Sequence, residues 1–353
     1  MFIMVGTQKG LFRYQSDDRR HWRALAPVLT GDPVFISAYD RDTKTLFAGV
    51  NSEFYGPSVR RSRDDGETFD TGGQGLQYDQ DDPERVSRVW AIRPAGGGRV
   101  YAGVEASGLF QSDDGGDTWR EVRALREHPT HETWGEGAGG KCLHTVAIDP
   151  FDRRRLYTAC STGGVYRSDD AGASWRPVNR HIRAEHVPDE LLYPESGQCV
   201  HKVVMSPARS GRMWARSHSG VYRSDDGAET WQAVDGGLPS DFGFPMVGHP
   251  TEADRAFVIP LASDMERWFP ANRATVYRTD DAGETWTALN GGLPAEAYSV
   301  VLRDAFAGDG ESPQGLYFGT TSGSVYASGD EGETWVTVAQ ELPRVLSVMV
   351  FPS

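Results

Sequence analysis

Short apolar runs broken by turn residues recur along this chain from one end to the other. Four of them are alike: Gly164-Val165-Tyr166-Arg167, Gly220-Val221-Tyr222-Arg223, Thr275-Val276-Tyr277-Arg278 and Ser324-Val325-Tyr326. They are too short for helices and rich in β-branched and aromatic residues, so they predict strands. A second run precedes each, as in Arg155-Leu156-Tyr157-Thr158-Ala159 and Gly315-Leu316-Tyr317-Phe318-Gly319. Before that comes an innermost run, such as His144-Thr145-Val146-Ala147-Ile148, ending at Asp149-Pro150. Proline placed after a strand removes no ladder hydrogen bond.

After the third run of each set stands a motif, Ser/Thr-x-Asp-x-Gly-x-Thr/Ser-aromatic. Full copies begin at Ser62, Ser112, Ser168, Thr279 and Ser328. At Ser224 the glycine is displaced by one position, and the copy at Ser16 is one residue short and has no glycine. The seven starts are 46, 50, 56, 56, 55 and 49 residues apart. Such periods suit one four-stranded propeller blade each, with insertions where the interval grows. Within the motif the Asp can accept turn N–H groups, Gly can take a positive φ, and the hydroxyl closes the turn. The aromatic residue begins the next strand and packs between sheets.

The sequence therefore predicts an all-β chain. It is a single seven-bladed β-propeller domain over residues 1–353, made of four-stranded antiparallel blades. The chain opens on a second-strand pattern, Phe2-Ile3-Met4-Val5-Gly6, and finishes on an innermost-strand pattern, Val345–Val350. The C-terminal strand should thus complete the first blade and close the ring, removing an exposed sheet edge. Expected blades are 1–31 with 344–353, then 32–83, 84–139, 140–196, 197–240, 241–294 and 295–343.

Charge narrows the partners. Lys+Arg is 36 against 50 for Asp+Glu, a formal net charge of −14. That balance argues against nucleic acid or an anionic membrane as main partner. No run approaches the ~18 apolar residues of a membrane span. The three cysteines, Cys142, Cys160 and Cys199, are too few for a disulfide scaffold. With no signal-peptide pattern after Met1, the expected location is the cytoplasm.

On these seven motifs the chain resembles the Asp-box (bacterial neuraminidase repeat) β-propeller superfamily, and in particular bacterial exo-α-sialidase-like or glycosyl hydrolase-like proteins. The resemblance covers the whole chain and implies a carbohydrate or small-molecule ligand. The chain departs from sialidases in having seven blades where they have six, and it lacks their Arg-Ile-Pro motif. Xyloglucanase-type members pair two seven-bladed propellers around a cleft, and photosystem assembly factors are single propellers that bind without catalysis.

Strand order locates the face where function is expected. The box turn joins third and fourth strands, so loops entering the innermost strand and leaving the second strand share the opposite face. The long insertions are such loops: 123–141 with His131 and Trp134, 179–198 with His186, and 260–275 with Arg267. Lys141-Cys142-Leu143-His144 and Gln198-Cys199-Val200-His201 form a repeated pair, each with a proline six residues after its His. The same count back from Pro94 and Pro250 puts Arg88 and Phe244 at this level, and second-strand ends add Glu53, Glu105, Cys160, Arg216 and His218. The candidate catalytic set is His144, His201, Glu105 and Arg88, and the candidate substrate-binding set is Glu53, Arg216, His131, Trp134, His186 and Arg267. His144, His201 and Glu105 are also the candidate ligands for a divalent metal (zinc, manganese or iron). The same residues also suit general acid/base work, as in a hydrolase or lyase, or plain packing with each His bonded to a loop carbonyl, as in a non-enzymatic binding scaffold.

Overall fold

The computed structural model describes every residue except Ala138, His186 and Ser353. Seven antiparallel sheets follow one another in chain order, six of four strands and one of three. The three-stranded sheet is the second blade, Val34–Asp40, Thr45–Ser52 and Gly56–Ser62. Its fourth-strand position is occupied instead by Asp70, whose carboxylate accepts from the Arg61 backbone N–H (2.9 Å) and pairs with the Arg61 guanidinium (2.6 Å). The ring closes as expected. Val345–Phe351 pairs with Phe2–Thr7, from Phe2↔Phe351 to Thr7↔Val345. No helix among the described residues is long and apolar enough to cross a membrane.

The box residues act as their chemistry predicts, with one addition. In the second blade the Asp64 carboxylate accepts from the Thr68 N–H (2.9 Å) and the Thr68 hydroxyl (2.6 Å). The leading Ser62 hydroxyl accepts from the Gly66 N–H (2.9 Å) and donates to Asp64 (2.6 Å). Where the glycine is displaced, Ala228 takes its place at φ 70° and its N–H still reaches the Ser224 hydroxyl (2.9 Å). In the short first copy, the His21 ring Nδ1 stands 2.6 Å from the Asp18 carboxylate, where a Thr or Ser hydroxyl stands elsewhere. Two box tryptophans tie neighbouring blades: Trp231 Nε1 donates to the Val178 carbonyl of the preceding blade, and Trp286 Nε1 to that of Val234, both at 2.8 Å.

Six innermost strands share an irregularity at the end away from the boxes. The pairing register shifts between Val34 and Ile36, Val89 and Ala91, Leu143 and Thr145, and Val200 and Lys202. It shifts again between Gly243 and Met246, and beside Leu346 in the closing strand. Each is a β-bulge, which leaves a residue unpaired and re-aims its side chain. The residues so released are Phe35, Trp90, His144, His201, Phe244 with Pro245, and Leu346.

Candidate functional site

The bulges build the mouth of the channel. Phe35, Trp90, His201, Phe244 and Leu346 line one cavity of about 500 Å³, a volume suited to a small ligand. All three insertions reach it, through Glu136, Gly137 and Gly139, through Glu185 and Gly197, and through Arg267. The face inferred from strand order is therefore the face that carries the cavity.

Four arginines, Arg88, Arg267, Arg303 and Arg344, stand on its walls. Arg88 is held at 3.2 Å by Glu105, and its guanidinium lies 4.6 Å from the Phe35 ring centre and 5.2 Å from that of Trp90. Trp90 Nε1 donates to the same Glu105 carboxylate at 3.0 Å. Glu105 thus orients an arginine and an indole. Arg303 donates to the His201 carbonyl (2.5 Å) and approaches Trp90 at 5.5 Å. Arg267 donates to the Asp264 carbonyl (2.7 Å) and faces Phe242 and Phe244 at 5.9 and 5.7 Å. Of the wall carboxylates, Asp304 is paired with Lys202 at 2.5 Å and Glu185 lies 3.6 Å from Arg183. In a chain of net charge −14 the cavity wall carries four arginines against three carboxylates, Glu136, Glu185 and Asp304, a local excess of positive charge that low-dielectric walls focus.

The two Cys-x-His copies end in different environments. His144 is buried, with Nε2 donating to the Val200 carbonyl (2.9 Å) and Nδ1 beside the Thr145 hydroxyl (3.0 Å). It lines a separate cavity deeper in the channel, among inner-strand residues, and not the mouth. His201 donates from Nδ1 to the Gly243 carbonyl (2.6 Å), while Nε2 lies 3.6 Å from Cys199 Sγ. Burial, and then the charge of Arg303, hold both imidazoles well below their ordinary pKa, so both are neutral.

Several sequence expectations need correction. His144, His201 and Glu105 do not form a metal-ligand set, because His144 is satisfied on both nitrogens and Glu105 is committed to Arg88 and Trp90. Arg216 does not line the mouth cavity. Strand alternation sends it under Gly243, fully buried, and no atom of its guanidinium has a hydrogen-bond partner among the described residues. Burial pushes it down to about 10. Trp134 is core, 2% exposed, with Nε1 donating to the Tyr166 hydroxyl (2.9 Å). His131 packs on Trp134 at 4.7 Å and burial lowers it to about 4. Glu53 is exposed at a hairpin tip outside the cavity. His186 lies outside the described residues.

Sequence reasoning missed Phe35, Trp90 and Phe242, and noted Cys199 and His218 without choosing them. A signal for Trp90 existed. Pro150, Pro207 and Pro250 follow their strands, but Pro94 lies inside Arg88–Gly96, so counting back six from it overshoots by two. Trp90, and not Arg88, is the counterpart of His144 and His201.

No protein-family model matches this chain. Over 317 residues it is 24% identical to a xyloglucanase of Hypocrea jecorina, covering 79% of this chain and 36% of that enzyme. Over 201 residues it is 26% identical to an oligoxyloglucan-reducing end-specific xyloglucanase of Emericella nidulans, covering 54% of this chain and 23% of that one. The chain thus spans only about a quarter to a third of the length of these relatives. Among solved structures, a GH74 xyloglucanase from Xanthomonas campestris superposes on 96% of this chain and 52% of its own, with a TM-score of 0.67 and 17% identity. That likeness is one of fold. The expected resemblance to glycosyl hydrolase-like propellers is supported through xyloglucanases, and these relatives do not carry its sialidase part.

Proposed function

We propose that the channel mouth binds a carbohydrate bearing a negative charge, on a glycosyl hydrolase-like propeller. The observation that carries this reading is the convergence of four guanidinium groups and four aromatic rings, Phe35, Trp90, Phe242 and Phe244, on one cavity. Aromatic faces suit the apolar C–H faces of sugar rings, which bury area without needing hydrogen bonds. Planar guanidinium groups pair with carboxylate or phosphate through two parallel hydrogen bonds. The similarity to xyloglucanases supports a saccharide, and the arginines support an acidic one.

Calorimetric titration with uronic-acid oligosaccharides and with neutral xyloglucan oligosaccharides tests it, at low and high salt. Acidic oligosaccharides should bind more tightly, and salt should weaken them. Arg267→Ala, which removes an exposed wall arginine, should cost about tenfold in affinity, near 1.4 kcal/mol. Equal binding of neutral and acidic sugars would remove the acidic assignment, and binding of neither would remove the site.

Hydrolysis is a second reading, favoured by the matched enzymes. On this reading Glu136 and Glu185, which line the cavity from two separate insertions, would serve as acid and base. Release of reducing ends that is lost in Glu136→Gln and Glu185→Gln would support it. Binding without turnover would make the protein a sugar-binding scaffold.

A further inference from the structure

We propose that Cys199, His201 and His218 form a zinc site on the wall of the channel mouth. The three side chains come from two elements. Cys199 and His201 flank Val200 at the start of an innermost strand, and His218 follows the second strand Met213–Ser217 of the same blade. One thiol sulfur and two ring nitrogens lie within 4.8 Å of one another. All three residues line the mouth cavity, so an ion would be reachable from solvent and would keep an open position toward a ligand. A thiolate with two imidazoles is a donor set that favours zinc over harder cations such as magnesium or calcium.

One ligand pair already has the spacing of that coordination. Zn–S of ~2.3 Å and Zn–N of ~2.0–2.1 Å at a tetrahedral angle place sulfur and nitrogen about 3.6 Å apart. Cys199 Sγ and His201 Nε2 are 3.6 Å apart. The outer contacts agree as well. A carbonyl oxygen only accepts, so the bond from His201 Nδ1 to Gly243 places the ring proton on Nδ1 and a lone pair on Nε2. The Asp264 carboxylate stands 3.4 Å from His218 Nε2. Carbonyl and carboxylate partners of this kind orient metal-bound imidazoles and raise their basicity. Ion binding releases the Cys199 thiol proton to solvent. The resulting thiolate and Asp264 then bring two negative charges against the two positive charges of zinc, so the wall arginines do not exclude it.

The fourth blade supplies an internal control. Its Cys-x-His copy has the same spacing and the same bulge, yet Cys142 Sγ meets the Ser161 hydroxyl (3.0 Å) and both His144 nitrogens are occupied. Repeat similarity by itself therefore does not produce the fifth-blade arrangement.

The test uses the full chain with zinc or cobalt alone and no saccharide, so its outcome is independent of the sugar reading. Chelator-treated protein re-equilibrated with zinc should retain about one ion per chain by elemental analysis, and zinc should raise its melting temperature. Cobalt(II) should give a thiolate-to-metal charge-transfer band in the near ultraviolet. Cys199→Ser should abolish that band, and Cys199→Ser and His218→Gln should each weaken zinc binding at least about tenfold. Cys142→Ser should leave stoichiometry and band unchanged. Circular dichroism establishes that each variant is folded. Folded wild-type protein that retains under about half an equivalent overturns the proposal. So does a cobalt band that survives in Cys199→Ser.

Discussion

The box carboxylates contribute to the acid sensitivity of their blades. Asp64, Asp114 and Asp170 are each held at about 2, first by side-chain hydroxyls and then by backbone N–H groups. An ordinary aspartate titrates at 3.8, so protonation opposes the folded state. The stabilisation is present above that value and is lost as pH falls toward 2. Melting temperature should be flat near neutral pH and fall steeply over this window. Asp170→Asn should flatten part of the fall, and a melt series across pH checks both. Arg216 poses the opposite case, a buried charge without a hydrogen bond. Arg216→Met should raise stability by about 1–3 kcal/mol in denaturant unfolding. A loss of stability would show that Asp235 and Asp241, the acidic groups whose charges favour it, hold it after all. The box aspartates were legible because their partners lie within four residues along the chain. Arg216 was not, because its burial depends on a neighbouring blade.

The innermost strand is the element that converts a repeat into a site. In six innermost strands a bulge turns residues toward the channel, and the residue type there changes from blade to blade, through Leu, Phe, Trp and His. Gly243 shows how tightly this end is built. A Cβ there would stand 2.7 Å from the Arg216 guanidinium and 2.8 Å from the Ile259 carbonyl. Gly243→Ala should therefore cost about 1–3 kcal/mol of stability. It should also disturb the carbonyl that orients His201, seen as a shift in the imidazole NMR signals of His201 with those of His131 unchanged. The level of the site was legible by counting from the prolines that end three strands. It failed in the third blade, where proline sits within the strand and an extra bulge follows it between Pro94 and Gly96.

Closure and charge belong to the whole molecule. The strand Val345–Phe351 pairs with Phe2–Thr7 and buries Val345, Leu346, Val348 and Phe351. Deleting residues 344–353 should open the ring, expose a sheet edge and abolish cooperative unfolding. Light scattering and a broadened thermal transition would report it, and an unchanged sharp transition would show the ring does not depend on this strand. The period of the boxes, the blade count, the closing strand and the face that carries the cavity were all determined by the sequence, because each follows from local turn chemistry and strand order. Only the tertiary structure decided which side chains meet. Cys199, His201 and His218 meet within the fifth blade at its bulge, whereas the arginines facing Phe35, Trp90, Phe242 and Phe244 come together through bulges and insertions contributed by several blades. Their distances are set by how seven sheets pack around one axis, a property no single repeat contains.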